Sequence, residues 1–337
     1  MLTGALIGFG KIAQNSHLAA YNNPIIKEKV NLVSVVEPND VNREESKKKY
    51  PHLKFYKTID DLLKSNNIDF IDVTTPPKFH KEIIEVGIKS KLNIISEKPF
   101  TLTLNEAEEL YGNLKKYDKH FIPCHQYKYL PLWKEFKKQV EEIGSTDKIL
   151  LQFSVFRQHA DPGLEIFNNP WRINKDVSGG GILADTGVHY LYLSIWMLGE
   201  PLKVTTSTYN LAHPDYKVED TAITTIEFER GIAQITLTWG SNSRLNSANL
   251  VSPNVSLKYN GGIKLLKSVA EKEEELLIPD PSDKANYTLL YVSLFEEFVD
   301  KVENNLESTE WINEAYQSIN LLEACYRSAE EQRTIIL

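Results

Sequence analysis

Cysteine is scarce in this chain: two in 337 residues, Cys124 and Cys325, and no Cys-x-x-Cys. Such a chain has neither the disulfide framework of a small secreted domain nor the ligand set of a structural zinc site, and it reads as a protein of the reducing cytoplasm. No apolar run is long enough to cross a bilayer and none opens the chain, which excludes membrane insertion. A basic block is also missing, and the net charge is −8. Nucleic acid and anionic membrane are therefore excluded as partners. There are no repeats, no low-complexity tract and no His-Glu-x-x-His motif, so no metal is expected. What remains is a composition 42% hydrophobic and 25% charged, that of a globular protein too long for one core.

The first part of the chain alternates β and α patterns. The apolar run Gly4-Ala5-Leu6-Ile7 meets Gly8-Phe9-Gly10-Lys11-Ile12-Ala13 and then a helical stretch through Ala20. In a dinucleotide site the first glycine makes a tight turn, the second admits the pyrophosphate, and the third small residue packs helix on strand. A second β-branched run, Val30 to Val36, ends at Glu37, about the 20 positions downstream where an acid binds the ribose 2′-hydroxyl. Glu37 would repel a 2′-phosphate, so NAD is favoured over NADP, with Arg43 as the one residue that speaks for NADP. A strand-turn-helix without ligand is the plain alternative.

Further strands follow at Phe70–Val73, Asn93–Ser96 and Phe121–Cys124, separated by helical patterns, which makes a parallel, doubly wound sheet. The first of these ends in Thr74-Thr75-Pro76-Pro77 with His80 opening a helix; the second ends in Glu97-Lys98-Pro99. Ligands of open α/β sheets bind at the carboxyl ends of strands. Lys98 is accordingly the hinge between a cofactor bound by the first third of the chain and a substrate held by the rest. A solvated surface Glu-Lys pair is the bland alternative. Thr103 and Glu106 form a capping box at the start of the next helix.

From about residue 148 the period changes. Residues 151–155, 221–228 and 233–239 alternate apolar with polar, the pattern of antiparallel strands with one covered face. Their polar face, rich in Thr, Ser and Gln, suits water or a partner subunit's sheet. The expected division is 1–125 and 126–337, with loops at 155–180 and 240–255 shaping specificity and a solvated charged turn at Glu271 to Glu275. Two helical patterns close the chain, one around Tyr291 to Val302 and one around Ile312 to Tyr326.

A second constellation runs from Ser178-Gly179-Gly180-Gly181 to Asp185 and His189. Three glycines in a row cost conformational entropy, so they imply either backbone close to a ligand or a tight approach to a helix. Asp185 and His189, four apart, share one face of an α-helix. The pair serves a metal, a structural hydrogen bond or acid-base chemistry. Oxidation of a secondary alcohol uses the last of these: His189 as base, Asp185 as its orienter, and Lys98 as the charge that stabilises the alkoxide.

Taken in order, Gly8-Phe9-Gly10-Lys11-Ile12-Ala13, Thr75-Pro76-Pro77 with His80, Glu97-Lys98-Pro99, Pro170-Trp171-Arg172 and Gly179 to His189 resemble the glucose-fructose oxidoreductase / inositol dehydrogenase / MocA (Gfo/Idh/MocA) family of NAD(P)-dependent oxidoreductases. The resemblance covers nearly the whole chain. It implies an N-terminal Rossmann domain and a C-terminal α+β domain with a large, open, mostly antiparallel sheet that mediates homodimers or homotetramers. It implies Lys98, Asp185 and His189 as the catalytic set, often with a cis Lys98-Pro99 bond. The cofactor residues it implies are Gly8 to Ala13, Glu37, Thr75, Pro76, His80, Glu97 and Lys98. Substrate contacts would include Tyr127, Arg157, Trp171 and Arg172, and the substrates would be sugars, cyclitols and their derivatives. Arg157, Arg172 and Arg244 could meet an anionic group. One departure is Lys128 in His125-Gln126-Tyr127-Lys128, where relatives commonly have arginine. A glycosidase that oxidises its sugar only transiently, and a catalytically silent NAD-binding regulator, share these parts.

Overall fold

The structure is a computed structural model that describes all residues except 66, 162, 163, 165–169 and 271. It contains two compact units: Met1–Gln126 with the described residues of Pro162–Trp171 and with Tyr287–Tyr316, and Tyr127–Asp161 with Arg172–Asn286 and Gln317–Leu337. The limit at Gln126 lies beside the division read from sequence, and the first unit also takes in a late helical segment. Aromatic packing explains that addition: Phe295 stacks on Tyr21 at 4.3 Å, and Phe298 meets Phe70 edge-on at 5.4 Å.

In the first unit six strands, β1 (Leu2–Ile7), β2 (Val30–Val36), β3 (Lys54–Tyr56), β4 (Phe70–Val73), β5 (Asn93–Ser96) and β6 (Phe121–Pro123), form a parallel sheet in the order β3-β2-β1-β4-β5-β6. Every residue of β4 and β5 is buried, as expected of strands covered on both faces. The order reverses between β1 and β4. In doubly wound folds the carboxyl ends of the strands at such a switch point are where ligands bind.

The second unit holds a sheet of nine strands: β7 (Ile149–Phe156), β8 (Pro201–Tyr209), β9 (Thr221–Phe228), β10 (Gly231–Thr238), β11 (Leu245–Val251), β12 (Val255–Tyr259), β13 (Lys264–Val269), β14 (Lys272–Leu277) and β15 (Ile335–Ile336). Their order is β14-β13-β12-β11-β7-β10-β9-β8-β15, and only the β7–β10 pair is parallel. Alternation along β9 buries Ala222, Thr224, Ile226 and Phe228 and leaves the intervening residues on the other face. That other face carries the Gln152–Gln234 and Thr221–Thr238 hydrogen bonds. The helix Val188–Leu198 is buried at all but one position.

Two local expectations are corrected. Residues 272–275 are not a turn but part of the edge strand β14; Glu271 lies outside the described residues. Charges on both faces suggested solvent, yet an edge strand needs backbone pairing on one side only, and Lys264 pairs with Glu275 at 3.0 Å across that edge. Likewise the expected loop 240–255 is strand over its middle, where β11 occupies Leu245–Val251. Of the expected specificity loop 155–180, seven positions lie outside the described residues.

Candidate functional site

β1 ends at Ile7, and Gly8 turns the chain with φ +92°; a Cβ there would stand 2.8 Å from Thr75 Cγ2. At Gly10 a Cβ would meet nothing within 4 Å, so the turn leaves open space beside its backbone. Lys11 is exposed, Ile12 half-buried, and Ala13 buried at the start of a π-turn, Ala13–His17. Such a turn is a common mark of functional helices. An open second glycine before a helix fits a dinucleotide pyrophosphate.

Phe9 packs edge-on against Tyr50 and Phe55, each at 5.5 Å. Its N–H donates to Glu37 Oε2 at 3.1 Å, the same oxygen that accepts from Asn42 Nδ2 at 2.7 Å, while Oε1 accepts the Asn39 N–H at 2.8 Å. Glu37 is therefore a buried carboxylate that ties β2 to the glycine turn. Arg43 donates to the Glu37 carbonyl and pairs with Asp40.

At the neighbouring strand ends, Thr75 and Pro76 are half-buried, and His80 brackets two loops: Nδ1 lies 2.9 Å from the Pro99 carbonyl and Nε2 2.8 Å from the Thr75 carbonyl. Burial pulls the His80 pKa down. The Lys98-Pro99 bond is cis. Glu97 turns inward, accepting from the Tyr291 hydroxyl at 2.8 Å and its neighbour Lys98's N–H at 3.1 Å, with His17 Nε2 at 3.0 Å. Lys98 is half-buried.

In the second unit, Asp185 belongs to a π-turn, Leu183–Gly187, rather than to the α-helix assumed from its spacing to His189. Its Oδ1 pairs with Arg172 Nε at 3.1 Å. His189 is buried; its Nδ1 lies 2.9 Å from the Tyr192 hydroxyl, and its ring stacks on Tyr127 at 4.0 Å and 9°. The Tyr127 N–H in turn donates to the Tyr192 hydroxyl. Burial pushes the Tyr127 phenol up, with Arg157 lowering it and Asp185 raising it. Arg157 donates to the Phe156 and Leu245 carbonyls and to Asn246 Oδ1, and burial followed by the Arg244 charge holds its pKa down. Lys128 lies over the Trp196 ring at 5.6 Å. Trp171, assigned to the first unit, is half-buried.

The glycine run that precedes Asp185 is packed by protein. A Cβ on Gly180 would fall 1.8 Å from the Tyr326 hydroxyl, and one on Gly181 would fall 1.9 Å from the Glu219 carbonyl oxygen. The half-buried Glu219 carboxylate accepts from the Gly181 and Leu183 N–H groups and from the Tyr326 hydroxyl, satisfying donors at a helix start. Of the two readings of the run, the tight approach to a helix is the one observed.

Within its own unit, the structure brings Arg172 to Asp185 and Tyr127 to His189. Sequence reasoning missed His17, Asp72, Tyr192, Tyr291, Glu219 and Tyr326. Tyr192 was within reach as the i,i+3 neighbour of His189; the others carry no local signal.

A family model described as an oxidoreductase family with an NAD-binding Rossmann fold matches residues 2–125, and one described as a GFO/IDH/MocA C-terminal domain matches residues 138–252. Together they cover more than half of the chain. An uncharacterized protein of Saccharomyces cerevisiae, YMR315W, is 28% identical over 59% of this chain, which spans 56% of that protein's length. The D-glucoside 3-dehydrogenase of Escherichia coli is 23% identical over 67% of each chain. Among solved structures, levoglucosan dehydrogenase in complex with NADH and L-sorbose superposes with a TM-score of 0.85 at 18% identity, covering 99% of this chain and 98% of that one. At that identity the likeness concerns the fold.

Proposed function

The chain belongs to the Gfo/Idh/MocA oxidoreductase family and carries its NAD-binding Rossmann domain at residues 2–125, and from that premise we propose that it transfers hydride between NAD and a secondary alcohol or ketone of a sugar, cyclitol or derivative. The cofactor supplies the hydride acceptor or donor; the protein's part is to hold, orient and manage protons. Gly8 to Ala13 take the pyrophosphate, and Glu37 faces the adenosine ribose. Thr75, Pro76, His80, Glu97 and Lys98 line the nicotinamide half. The Glu37 carboxylate is buried, and Arg43 is engaged by the Glu37 carbonyl and Asp40. That arrangement supports NAD over NADP.

The catalytic set in this reading is Lys98, Asp185 and His189. His189 takes the hydroxyl proton at Nε2, Lys98 stabilises the developing alkoxide, and Asp185 acts as orienter of the base while Arg172 sets its carboxylate. Tyr127, Arg157, Trp171 and Arg172 complete the substrate contacts. The observation that carries the reading is the fixed imidazole. With Nδ1 at 2.9 Å from the Tyr192 hydroxyl and one ring face on Tyr127, His189 has one orientation, which proton transfer requires. The relatives named as sugar dehydrogenases support the substrate class. Two buried free cysteines and the absence, among the described residues, of a helix long and apolar enough to cross a membrane are in keeping with a cytoplasmic enzyme. Exposed Ile223 and Ile232 on the open face of the nine-stranded sheet support a homodimer or homotetramer through that face; light scattering tests it.

The experiment is reduction of NAD, then NADP, by the purified protein against inositols, aldoses, glycosides and sugar phosphates, with Lys98→Ala as control. Growth of NADH with one polyol, lost in the variant, is the expected result. Tight NADH binding without net cofactor turnover on any of them would overturn it in favour of transient oxidation or regulation.

A further inference from the structure

Asp72 lies on β4, Glu97 directly follows β5, and Cys124 directly follows β6. The parallel register pairs Val73 with Ser96 and Ser96 with Pro123, so by alternation Asp72, Glu97 and Cys124 face the same side of the sheet. His17, at the end of the π-turn after the glycine loop, reaches this side. Its Nδ1 is 2.7 Å from Asp72 Oδ2 and its Nε2 is 3.0 Å from Glu97 Oε1. The Tyr21 hydroxyl donates to the same Asp72 oxygen at 2.9 Å, and the Tyr291 hydroxyl donates to the same Glu97 oxygen at 2.8 Å. Asp72 and His17 are fully buried and Glu97 is 6% exposed.

This geometry counts protons. A neutral imidazole carries one N–H and can donate to only one carboxylate. Its other nitrogen would then aim a lone pair at the second carboxylate, at hydrogen-bond distance and away from water, where the full negative charge, unlike the neutral carbonyls that flank His80, makes the contact costly. The tyrosine hydroxyls do not help, because each donates to an oxygen the ring already faces. A ring protonated on both nitrogens satisfies both carboxylates at once. Glu97 passes the constraint on, since its Oε2 accepts the Lys98 N–H.

We propose that His17 is, at neutral pH, a protonated imidazolium bridging Asp72 and Glu97, and that it is a positioning residue: it locks Glu97, and through Glu97 the backbone of Lys98, to the helix that follows the glycine loop. The positioning half rests on the role given to Lys98 under Proposed function; the charge half does not. The groups around His17 are Asp72, Glu97 and Cys124 from the strand ends, Tyr21 from its own helix and Tyr291 from the helix Lys284–Glu303, with Lys98 acting on Glu97. Their balance agrees. Burial by itself would lower the His17 pKa, but the charge and hydrogen bond of Asp72, then those of Glu97, outweigh it and raise it to about 9. For Glu97, burial is outweighed in turn by His17, Lys98 and Tyr291, and its pKa falls. Burial and the two carboxylates keep the Cys124 thiol protonated. His17, Glu97 and Cys124 hold donor atoms within 4.8 Å of one another, yet a metal requires a thiolate and an unprotonated ring nitrogen, and this environment supplies neither.

The deciding measurement is the side-chain ¹⁵N–¹H NMR correlation of the histidines in the whole protein across neutral to alkaline pH, with His17 assigned from His17→Gln. Two protonated ring nitrogens persisting to about pH 8 are expected. A neutral-tautomer pattern there overturns the proposal, and so does one equivalent of a transition metal in the purified protein. For positioning, His17→Gln should lower kcat about a hundredfold while the NADH Kd stays within about threefold; equal losses in both would reduce His17 to a fold support. Lys98→Ala separates the readings. If that variant turns over normally, the role of Lys98 fails while the NMR result still decides the charge on His17. Should His17→Gln not fold, Asp72→Asn, which removes one of the two charges facing the ring, takes its place with the same kcat and Kd readouts.

Discussion

At Gly10 in the first unit an added Cβ would meet no heavy atom within 4 Å, whereas at Gly180 and Gly181 in the second it would collide with the Tyr326 hydroxyl and the Glu219 backbone. Both segments precede a π-turn, Ala13–His17 in one and Leu183–Gly187 in the other. Their glycines nevertheless answer different needs. In the first, glycine keeps a volume clear beside the backbone for something that is not protein. In the second, glycine lets the chain's own tyrosine and glutamate press against the backbone and set the start of the turn that carries Asp185. A glycine-rich run is thus evidence of close approach, and only packing tells what approaches.

Substitutions separate the two cases. Gly181→Ala should be the most damaging, costing about 3 kcal/mol of stability because backbone must move, read as a lowered urea midpoint; a stability unchanged from the wild type would break the contrast. His189→Ala leaves the packed segment in place and should reduce turnover about a hundredfold or more, with the thermal midpoint little changed. Gly10→Ala is the converse of Gly181→Ala: its φ is not in the left-handed region, so stability should stay within about 0.5 kcal/mol. Its NADH affinity should fall on the order of tenfold, measurable by fluorescence titration.

The two units also differ in how they hold charge, and pH sharpens that difference. The His17 pKa of about 9 lies above that of a free histidine, 6.5. Its stabilisation is therefore complete below about pH 6.5 and is lost as the pH rises through 9. Wild-type stability should decline over that window and the decline should vanish in His17→Gln, as followed by urea unfolding at several pH values. Burial raises the Glu219 pKa despite its hydrogen bonds to Tyr326, Leu183 and Gly181. Tyr326→Phe, which strips one of those bonds, should cost about 1 kcal/mol of stability, read as a lowered urea midpoint.

Much of the candidate site was legible because it is written locally. Gly8 to Ala13, the β-branched strands and Glu97-Lys98-Pro99 each fall within a few residues and obey the periods of strand and helix. Lys264 to Leu277 was harder: the charges of β14 spoke for solvent, and only the pairing with β13 made it a strand. The glutamate at the end of β2 was found by its distance from the glycine loop, but its grip on the Phe9 N–H was not.

By itself, then, the sequence determined the alternation of strands and helices, the parallel first sheet, the alternating second sheet and the residue types needed for hydride-transfer chemistry. Those follow from hydrophobic period and turn chemistry, which act over short stretches of chain. The tertiary structure alone decided that Tyr192 holds His189, that Arg172 pairs with Asp185, that the glycine run is filled by Tyr326 and Glu219, and that His17 stands between Asp72 and Glu97. These depend on which distant groups are buried together, because a charge or donor removed from water must find its partner wherever the fold has placed one.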